Sequence, residues 1–116
     1  MRIESYSFGR MVVSGEEYRN DLMICGDEIN SGWRRKRGHW LQSEDLTWIT
    51  GKAPDLLVVG TGSSGRMSVA DETRSFLEKK GMDLWVGRTE KAAEYFNARL
   101  EEGSREKVGG AFHLTC

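Results

Sequence analysis

The stretch Asp55-Leu56-Leu57-Val58-Val59-Gly60 decides the fold of this chain. Four consecutive apolar residues lie between an aspartate and a glycine, without the alternation of apolar and polar positions that marks a strand with one wet face. A short continuous apolar run is typical of a strand covered on both faces, as in a sheet flanked by helices. The run therefore predicts a central strand over residues 56–59.

Downstream of this strand, helical and extended segments alternate. Glycines end the predicted helices, and Thr89 is placed to cap the second of them. The predicted elements are, in order, the helix Asp71–Lys80, the strand Met82–Val86, the helix Glu90–Glu102 and the strand Lys107–Thr115. This order is βαβαβ-like and implies at least one crossover between parallel strands.

Upstream, residues 1–41 are rich in Ser, Gly, Tyr, Trp and Arg and have no helical period. Short apolar runs separated by glycine turns predict strands here, including one over Leu22–Cys25. We interpret this half as an antiparallel meander with one face in water. The segment Asp45–Ile49 predicts a short helix. The predicted fold class is mixed α/β (α+β): one domain, residues 1–116, in which the meander joins the βαβαβ-like half.

Composition and charge narrow the function classes. The chain has 116 residues, 38% of them hydrophobic and 30% charged, with a net charge of −1. Such a balance provides no overall field for nucleic acid, and no apolar run approaches the length that spans a bilayer. The first eight residues lack the apolar core of a secretory signal. We therefore expect a cytoplasmic protein that does not bind membranes and in which Cys25 and Cys116 are free thiols.

A glycine-rich loop follows the central strand and precedes a helix, which is where open α/β sheets bind ligands. Glycine turns can expose backbone N–H groups to an anion, and hydroxyls and a guanidinium add donors. The candidate ligand-binding residues are Gly60, Thr61, Gly62, Ser63, Ser64, Gly65 and Arg66. The loop lacks the Gly-Lys-Ser/Thr ending of a P-loop, and no acidic strand end follows it as in a dinucleotide site. The alternative interpretation, a tight turn that needs glycine, is favoured over ligand binding.

A basic segment bounded by tryptophans lies between the predicted strands and the short helix. Its charge and aromatic rings are compatible with RNA, but a single run of four cations in a neutral chain favours a solvated loop or a protein contact. The candidate partner surface consists of Trp33, Arg34, Arg35, Lys36, Arg37, His39 and Trp40. Nucleic acid is the less favoured partner.

No arrangement of residues indicates catalysis or a cofactor. His113 and Cys116 are the only neighbouring pair of soft ligands, and a zinc site needs about four in recognisable spacing. A Cys–His pair for nucleophilic catalysis is conceivable, but packing of both residues at the end of a strand is favoured. We therefore predict no catalytic residue, no metal and no cofactor.

Several short motifs occur together in a particular order. They are Ser5-Tyr6-Ser7-Phe8-Gly9, Tyr18-Arg19-Asn20-Asp21, Trp33 followed by Arg34 to His39, Val59-Gly60-Thr61-Gly62, Thr89-Glu90-Lys91-Ala92, Tyr95-Phe96-Asn97 and His113-Leu114-Thr115-Cys116. This pattern resembles a small Mth-type domain of unknown function. That domain is shared by archaeal and bacterial stand-alone proteins, an adipogenesis-associated cytosolic protein and a mitochondrial complex I assembly factor. The resemblance implies a three-layer β+β/α fold, action through partner proteins and no established reaction.

The leading hypothesis for function is thus a non-enzymatic protein-interaction or assembly module, with other proteins as partners. The alternative is an enzyme that binds a small molecule or anion at the Gly60–Arg66 loop. A third possibility, RNA binding through residues 33–40, is the least favoured.

Overall fold

Three layers make up the fold, which the computed structural model describes over residues 1–103 and 105–116. The middle layer is a five-stranded mixed sheet, and short helices cover one of its faces. A three-stranded sheet and the longest helix cover the other face. The mixed α/β class and the three layers are therefore confirmed.

The strands of the central sheet are β4 (Leu22–Cys25), β5 (Glu28–Ser31), β7 (Leu56–Thr61), β9 (Asp83–Gly87) and β10 (Val108–His113). Their order across the sheet is β5-β4-β10-β7-β9. β10, β7 and β9 run parallel, while β4 pairs antiparallel with β10 and β5. All six residues of β7 are buried, which confirms the central strand predicted from the run Asp55–Gly60.

Two helices make the connections between the parallel strands. α2 (Asp71–Lys79) leads from β7 to β9, and α3 (Thr89–Glu101) leads from β9 to β10. The helix positions agree with the sequence, but the cap predicted at Thr89 is wrong, because Arg88 is the N-cap and Thr89 is the first helical residue. The Thr89 hydroxyl binds other parts of the chain, as described below.

The first half of the chain does not form one meander. β1 (Ile3–Ser7), β2 (Arg10–Val13) and β3 (Glu16–Tyr18) make a separate antiparallel sheet, whereas β4 and β5 join the central sheet. The expectation of one wet face is wrong for β4, all of whose residues are buried. Alternate β4 side chains pack into the apolar clusters on opposite faces of the sheet, so neither face is left to water.

Short elements complete the layer on the α2 face. A 3-10 turn (Ser43–Leu46) and α1 (Thr47–Thr50) replace the single helix predicted over Asp45–Ile49. β6 (Trp40–Leu41) pairs in parallel with β8 (Ser68–Val69), a contact that no sequence pattern predicted. Within the described residues, no helix is both long and apolar enough to cross a membrane.

Candidate functional site

The parallel strands β7, β9 and β10 end side by side, and several loops gather at that edge of the sheet. Gly9 N–H donates to the Leu114 carbonyl at 2.8 Å, and Ser68 N–H donates to the His39 carbonyl at 2.9 Å, so distant segments meet here. We call this region the carboxyl edge; it comprises Phe8–Gly9, Arg19–Asp21, residues 33–40, the loop 62–67, residues 87–90 and His113–Cys116. Open α/β sheets bind ligands at such edges.

The glycine-rich loop lies at the carboxyl edge, but its amides are largely used within the chain. Ser63 N–H donates to the Thr115 carbonyl at 2.7 Å, and Arg66 N–H donates to the Cys116 carbonyl at 3.1 Å. Gly65 N–H donates to the Gly62 carbonyl, and Gly62 N–H to the Thr89 hydroxyl. These four donors are therefore not free to hold an anion, as the ligand interpretation of Gly60–Arg66 assumed. Ligand binding at this loop stays a prediction, with Ser64 and Arg66 as its exposed polar side chains.

Thr89 joins the three parallel strands at this edge. Its hydroxyl donates to the His113 carbonyl at 2.6 Å and accepts from Gly62 N–H at 2.8 Å. The Thr61 hydroxyl donates to the Gly87 carbonyl at 3.0 Å. Gly60 leaves room for this arrangement, because a Cβ there would lie 2.7 Å from the Thr89 hydroxyl oxygen. Hydrogen bonds within the chain thus join the ends of β7, β9 and β10 at this edge.

A buried polar cluster lies beside the loop and consists of Asp21, Arg35 and His113. His113 Nδ1 and Arg35 Nη2 are each 2.8 Å from Asp21 Oδ2, and Leu114 N–H donates to Oδ1 at 2.7 Å. The side chains of Arg35 and His113 are only 5% and 6% exposed. Arg35 Nε also donates to the Gly38 carbonyl, and its guanidinium lies 4.7 Å from the centre of the Trp33 ring.

The charge state of this cluster follows from its donors. Burial alone raises the pKa of Asp21, but hydrogen bonds from His113, the Leu114 amide and Arg35 outweigh it and hold the pKa below its ordinary value. Since a carboxylate only accepts, His113 Nδ1 carries the proton. Arg35 Nη2 and His113 Nδ1 are 3.1 Å apart because both donate to Asp21 Oδ2, and they do not form a hydrogen bond with each other. Arg35 Nη1 and His113 Nε2 are buried without a hydrogen-bond partner among the described residues.

Strand pairing explains why these residues meet. Phe112 pairs with Leu22 across β10 and β4, so the next residue outward on each strand, His113 and Asp21, are neighbours. Both residues lie in the sequence motifs, but no local pattern connects them, since 92 residues separate them. The available signal was that each residue borders a strongly apolar strand. His113 is packed at a strand end, as favoured from the sequence.

The basic segment divides into buried and exposed residues. Trp33 is 6% exposed and donates from Nε1 to the Asp45 carbonyl at 2.8 Å, while Arg35 belongs to the buried cluster. These two side chains are therefore not available to a partner, contrary to their inclusion in the candidate partner surface. The remaining members are accessible, and they are Arg34, Lys36, Arg37, His39 and Trp40. A partner contact at these residues stays a prediction.

His39 and Trp40 connect the basic segment to the rest of the edge. The His39 ring stands edge-on to the buried His113 ring, with centroids 5.7 Å apart. Trp40 pairs with Ser68 and keeps 40% of its surface exposed. The end of the basic segment is thereby held beside the loop through His113 and Ser68.

A shallow polar cleft of about 380 Å³ adjoins the buried cluster. Its lining includes Asp21 and the exposed side chain of Arg34, and the other lining residues are Arg19, Asn20, Gly32, Trp33 and Thr115. Over residues 1–103 and 105–116, no group of three or more His, Cys, Asp or Glu side chains is arranged to hold a metal ion. The lining of the cleft therefore presents hydrogen-bonding and charged groups.

A mixed central sheet with a second small sheet on one face, and a buried Asp–Arg–His cluster at its carboxyl edge, define a three-layer α/β domain. The chain belongs to the family described as protein of unknown function (DUF498/DUF598), whose pattern matches residues 3–113. The resemblance drawn from the sequence motifs is confirmed.

Solved structures share this fold. A conserved hypothetical protein from Pyrococcus horikoshii OT3 superposes with a TM-score of 0.81 and 24% identity over the full length of both chains. A Bordetella pertussis protein described as a Mth938-like domain matches with a TM-score of 0.72 and 18% identity, covering 97% of this chain and 85% of that one. A Bartonella henselae protein described as an outer membrane protein matches with a TM-score of 0.80 and 19% identity, covering 98% and 94%. These likenesses show the fold.

Proposed function

We propose that this chain is a non-enzymatic protein-interaction module that contacts its partner through the carboxyl edge. The observation that carries the proposal is the exposure of Phe8 and Trp40, at 64% and 40%, on this edge. Among the described residues the other large apolar side chain classed as exposed is Leu100, near the far end of α3. Exposed aromatic residues beside cationic ones are typical of the energetically important parts of protein interfaces.

The rigidity of the edge supports the same function. Phe8 precedes Gly9, whose amide is bound to Leu114, and Trp40 lies in β6, which is paired with β8. Side chains on such a fixed frame lose little backbone freedom on binding, which lowers the entropic cost of association. The alternative, an enzyme centred on Gly60–Arg66, has less support because four of the loop amides are already engaged.

The proposal includes a cytoplasmic setting. Cys25 and Cys116 are both free in the structure, which is the usual state of thiols in a reducing compartment.

Affinity capture with matched variants tests the proposed surface. The full chain is used as bait in a lysate of its source cells, and the proteins recovered by wild type are compared with those recovered by Phe8→Ser/Trp40→Ser and by Leu100→Ser. We expect the double variant to lose the recovered partner and the Leu100 variant to keep it, because Leu100 is exposed but distant from the carboxyl edge. Equal recovery by wild type and the double variant, both folded by thermal melting, would count against this surface.

A further inference from the structure

Five arginines are exposed on the carboxyl edge. Arg19 is paired with Glu17, and the other four are Arg34, Arg37, Arg66 and Arg88. The ion pairs of the described residues engage other cations, such as Arg35 with Asp21 and Lys36 with Glu44. The four edge arginines have no carboxylate partner within residues 1–103 and 105–116. A chain whose net charge is −1 therefore presents four guanidinium groups without an ion-pair partner on one edge.

Each of these arginines lies near the loop 62–67 or near a residue bonded to it. The Arg88 side chain lies 3.3 Å from where a Cβ on Gly65 would be, which places it over the loop beside Arg66. Residues 39 and 40 are bonded to Ser68, which brings the Arg37 segment against the same loop. Arg34 is linked through the cleft that it shares with Thr115, whose carbonyl binds the loop at Ser63. The exposed acid on this edge is Glu90, at the start of α3.

We propose that the carboxyl edge binds an acidic polypeptide segment whose carboxylates contact these arginines. This inference rests on the proposed interaction function and names the chemistry of the partner. Guanidinium groups bind carboxylates with two parallel hydrogen bonds, a geometry that lysine does not provide. The adjacent aromatic surface of Trp40 accommodates apolar residues interspersed among the acids.

The cleft beside Arg34 suits one acidic side chain of such a segment. Asp21 lies in its lining, but that carboxylate is paired with Arg35 and accepts from the Leu114 amide and His113, so its charge is compensated. Arg34 then provides the unpaired positive charge of the cleft, since Arg19 is paired with Glu17, and the polar side chains of Asn20 and Thr115 lie in the same lining.

The charge distribution favours a polypeptide over nucleic acid or an anionic membrane. Nucleic acids and anionic lipids present many closely spaced charges, and their binding gains from counterion release over a broad cationic surface. Here the unpaired arginines of the edge are only four, and the remainder of the chain has an excess of acids. A short acidic segment fits the small extent of the patch.

Binding of a capped hexaglutamate peptide tests the inference. The peptide is titrated into the full chain at low salt, with amide shifts followed by NMR, and Arg34→Gln/Arg66→Gln is compared with Lys79→Gln/Lys80→Gln, a matched pair on the C-terminal end of α2. We expect shifts at residues 34–40 and 63–66 and a roughly threefold to tenfold loss of affinity in the arginine variant only. Added salt should weaken the binding.

Three results would overturn the acidic partner. They are no shift at the edge with hexaglutamate, equal weakening in both variants, or tighter binding of a uridine hexanucleotide or phosphatidylserine vesicles through the same arginines. The capture experiment separates this inference from the proposed function. If recovery of a partner depends on Phe8 and Trp40 but survives the arginine substitutions, the edge is an interaction surface whose partner is not acidic.

Discussion

The Asp21 carboxylate organises the carboxyl edge at the scale of single residues. It accepts from the imidazole of His113, the guanidinium of Arg35 and the amide of Leu114, and so joins the start of β4, the basic segment and the end of β10. A buried guanidinium without its counter-charge is far more costly than an exposed one. The position of the basic segment therefore depends on this largely buried acid.

Asp21→Asn should destabilise the chain by about 3 kcal/mol, because Arg35 stays buried while its counter-charge is lost. Urea unfolding at neutral pH measures the change in the free energy of unfolding. Asp27→Asn, in the exposed turn between β4 and β5, is the control and should change little. A loss below about 1 kcal/mol at Asp21 would show that the cluster is not held by this charge.

Acid should remove the contribution of Asp21. Its folded pKa lies below the ordinary value of 3.8, so its stabilisation is complete above that value and is lost as the pH falls through the lower folded pKa. The free energy of unfolding is measured from pH 6 down to the acid transition for wild type and Asp21→Asn. The difference between the two curves should shrink below about pH 4. A difference that stays constant through this window would mean that the folded and unfolded pKa values are equal.

Contacts between elements explain why the loop after β7 is glycine-rich. Gly62 has φ +104°, and a Cβ there would lie 2.7 Å from backbone atoms of Thr115 and Cys116. The loop thus packs backbone to backbone against the residues that follow β10. Thr89 of α3 stabilises the same contact, because its hydroxyl binds both Gly62 and His113. At this position glycine is required by packing, whether or not a ligand binds.

Gly62→Ala should cost more than about 2 kcal/mol of stability, through backbone strain and the clash with Cys116. Gly26→Ala is the matched control, since Gly26 also has positive φ but open space around its Cβ position, and it should cost about 1 kcal/mol. Thermal and urea unfolding give both values. Similar losses at the two glycines would indicate that the loop moves easily away from residues 115–116.

Thr89→Val should destabilise the chain by about 3 kcal/mol, because Gly62 N–H and the His113 carbonyl are buried and both lose their partner. Valine keeps the shape of threonine, so the change isolates the hydroxyl. Thr50→Val serves as control, because that hydroxyl makes an exposed bond to the Thr47 carbonyl at 3.3 Å. Equal stability of wild type and the Thr89 variant would show that the hydroxyl does not stabilise the contact between Gly62 and His113.

Across the whole molecule, the central sheet separates two apolar clusters. β4 contributes Leu22 and Ile24 to the α3 side and Met23 and Cys25 to the α2 side. Cys25 is therefore part of the core, and burial raises the pKa of its thiol. Cys116 lies at the carboxyl edge and is only half-buried.

In the native chain the two thiols should consequently react with a thiol reagent at different rates. Titration of the native chain with a thiol reagent should label Cys116 first, and Cys25 only as the chain unfolds, because a buried protonated thiol is a poor nucleophile. The denatured, unreduced chain should show two free thiols. Rapid labelling of both cysteines in the native state, or none after denaturation, would contradict this assignment.

The sequence by itself determined the central strand, the two crossover helices and the mixed α/β class. These features follow from local periodicity, since four adjacent apolar residues or a 3.6-residue spacing report directly which side chains must leave water. The family resemblance was also contained in the order of short motifs. The sequence also indicated the basic segment as a candidate partner surface, but it did not show which residues of the segment are buried.

Only the tertiary structure decided how distant segments combine. The pairing of Phe112 with Leu22 places His113 beside Asp21, and Arg35 then turns inward to share that carboxylate. The hydrophobic pattern of a strand determines which of its faces are buried but not which distant strand becomes its neighbour, so neither this cluster nor the role of Thr89 could be predicted from spacing. The position of β4 was likewise decided by the tertiary structure. β4 lies in the central sheet rather than in the predicted meander, because both of its faces are buried, one by the apolar layer that includes α3 and the other by the layer that includes α2.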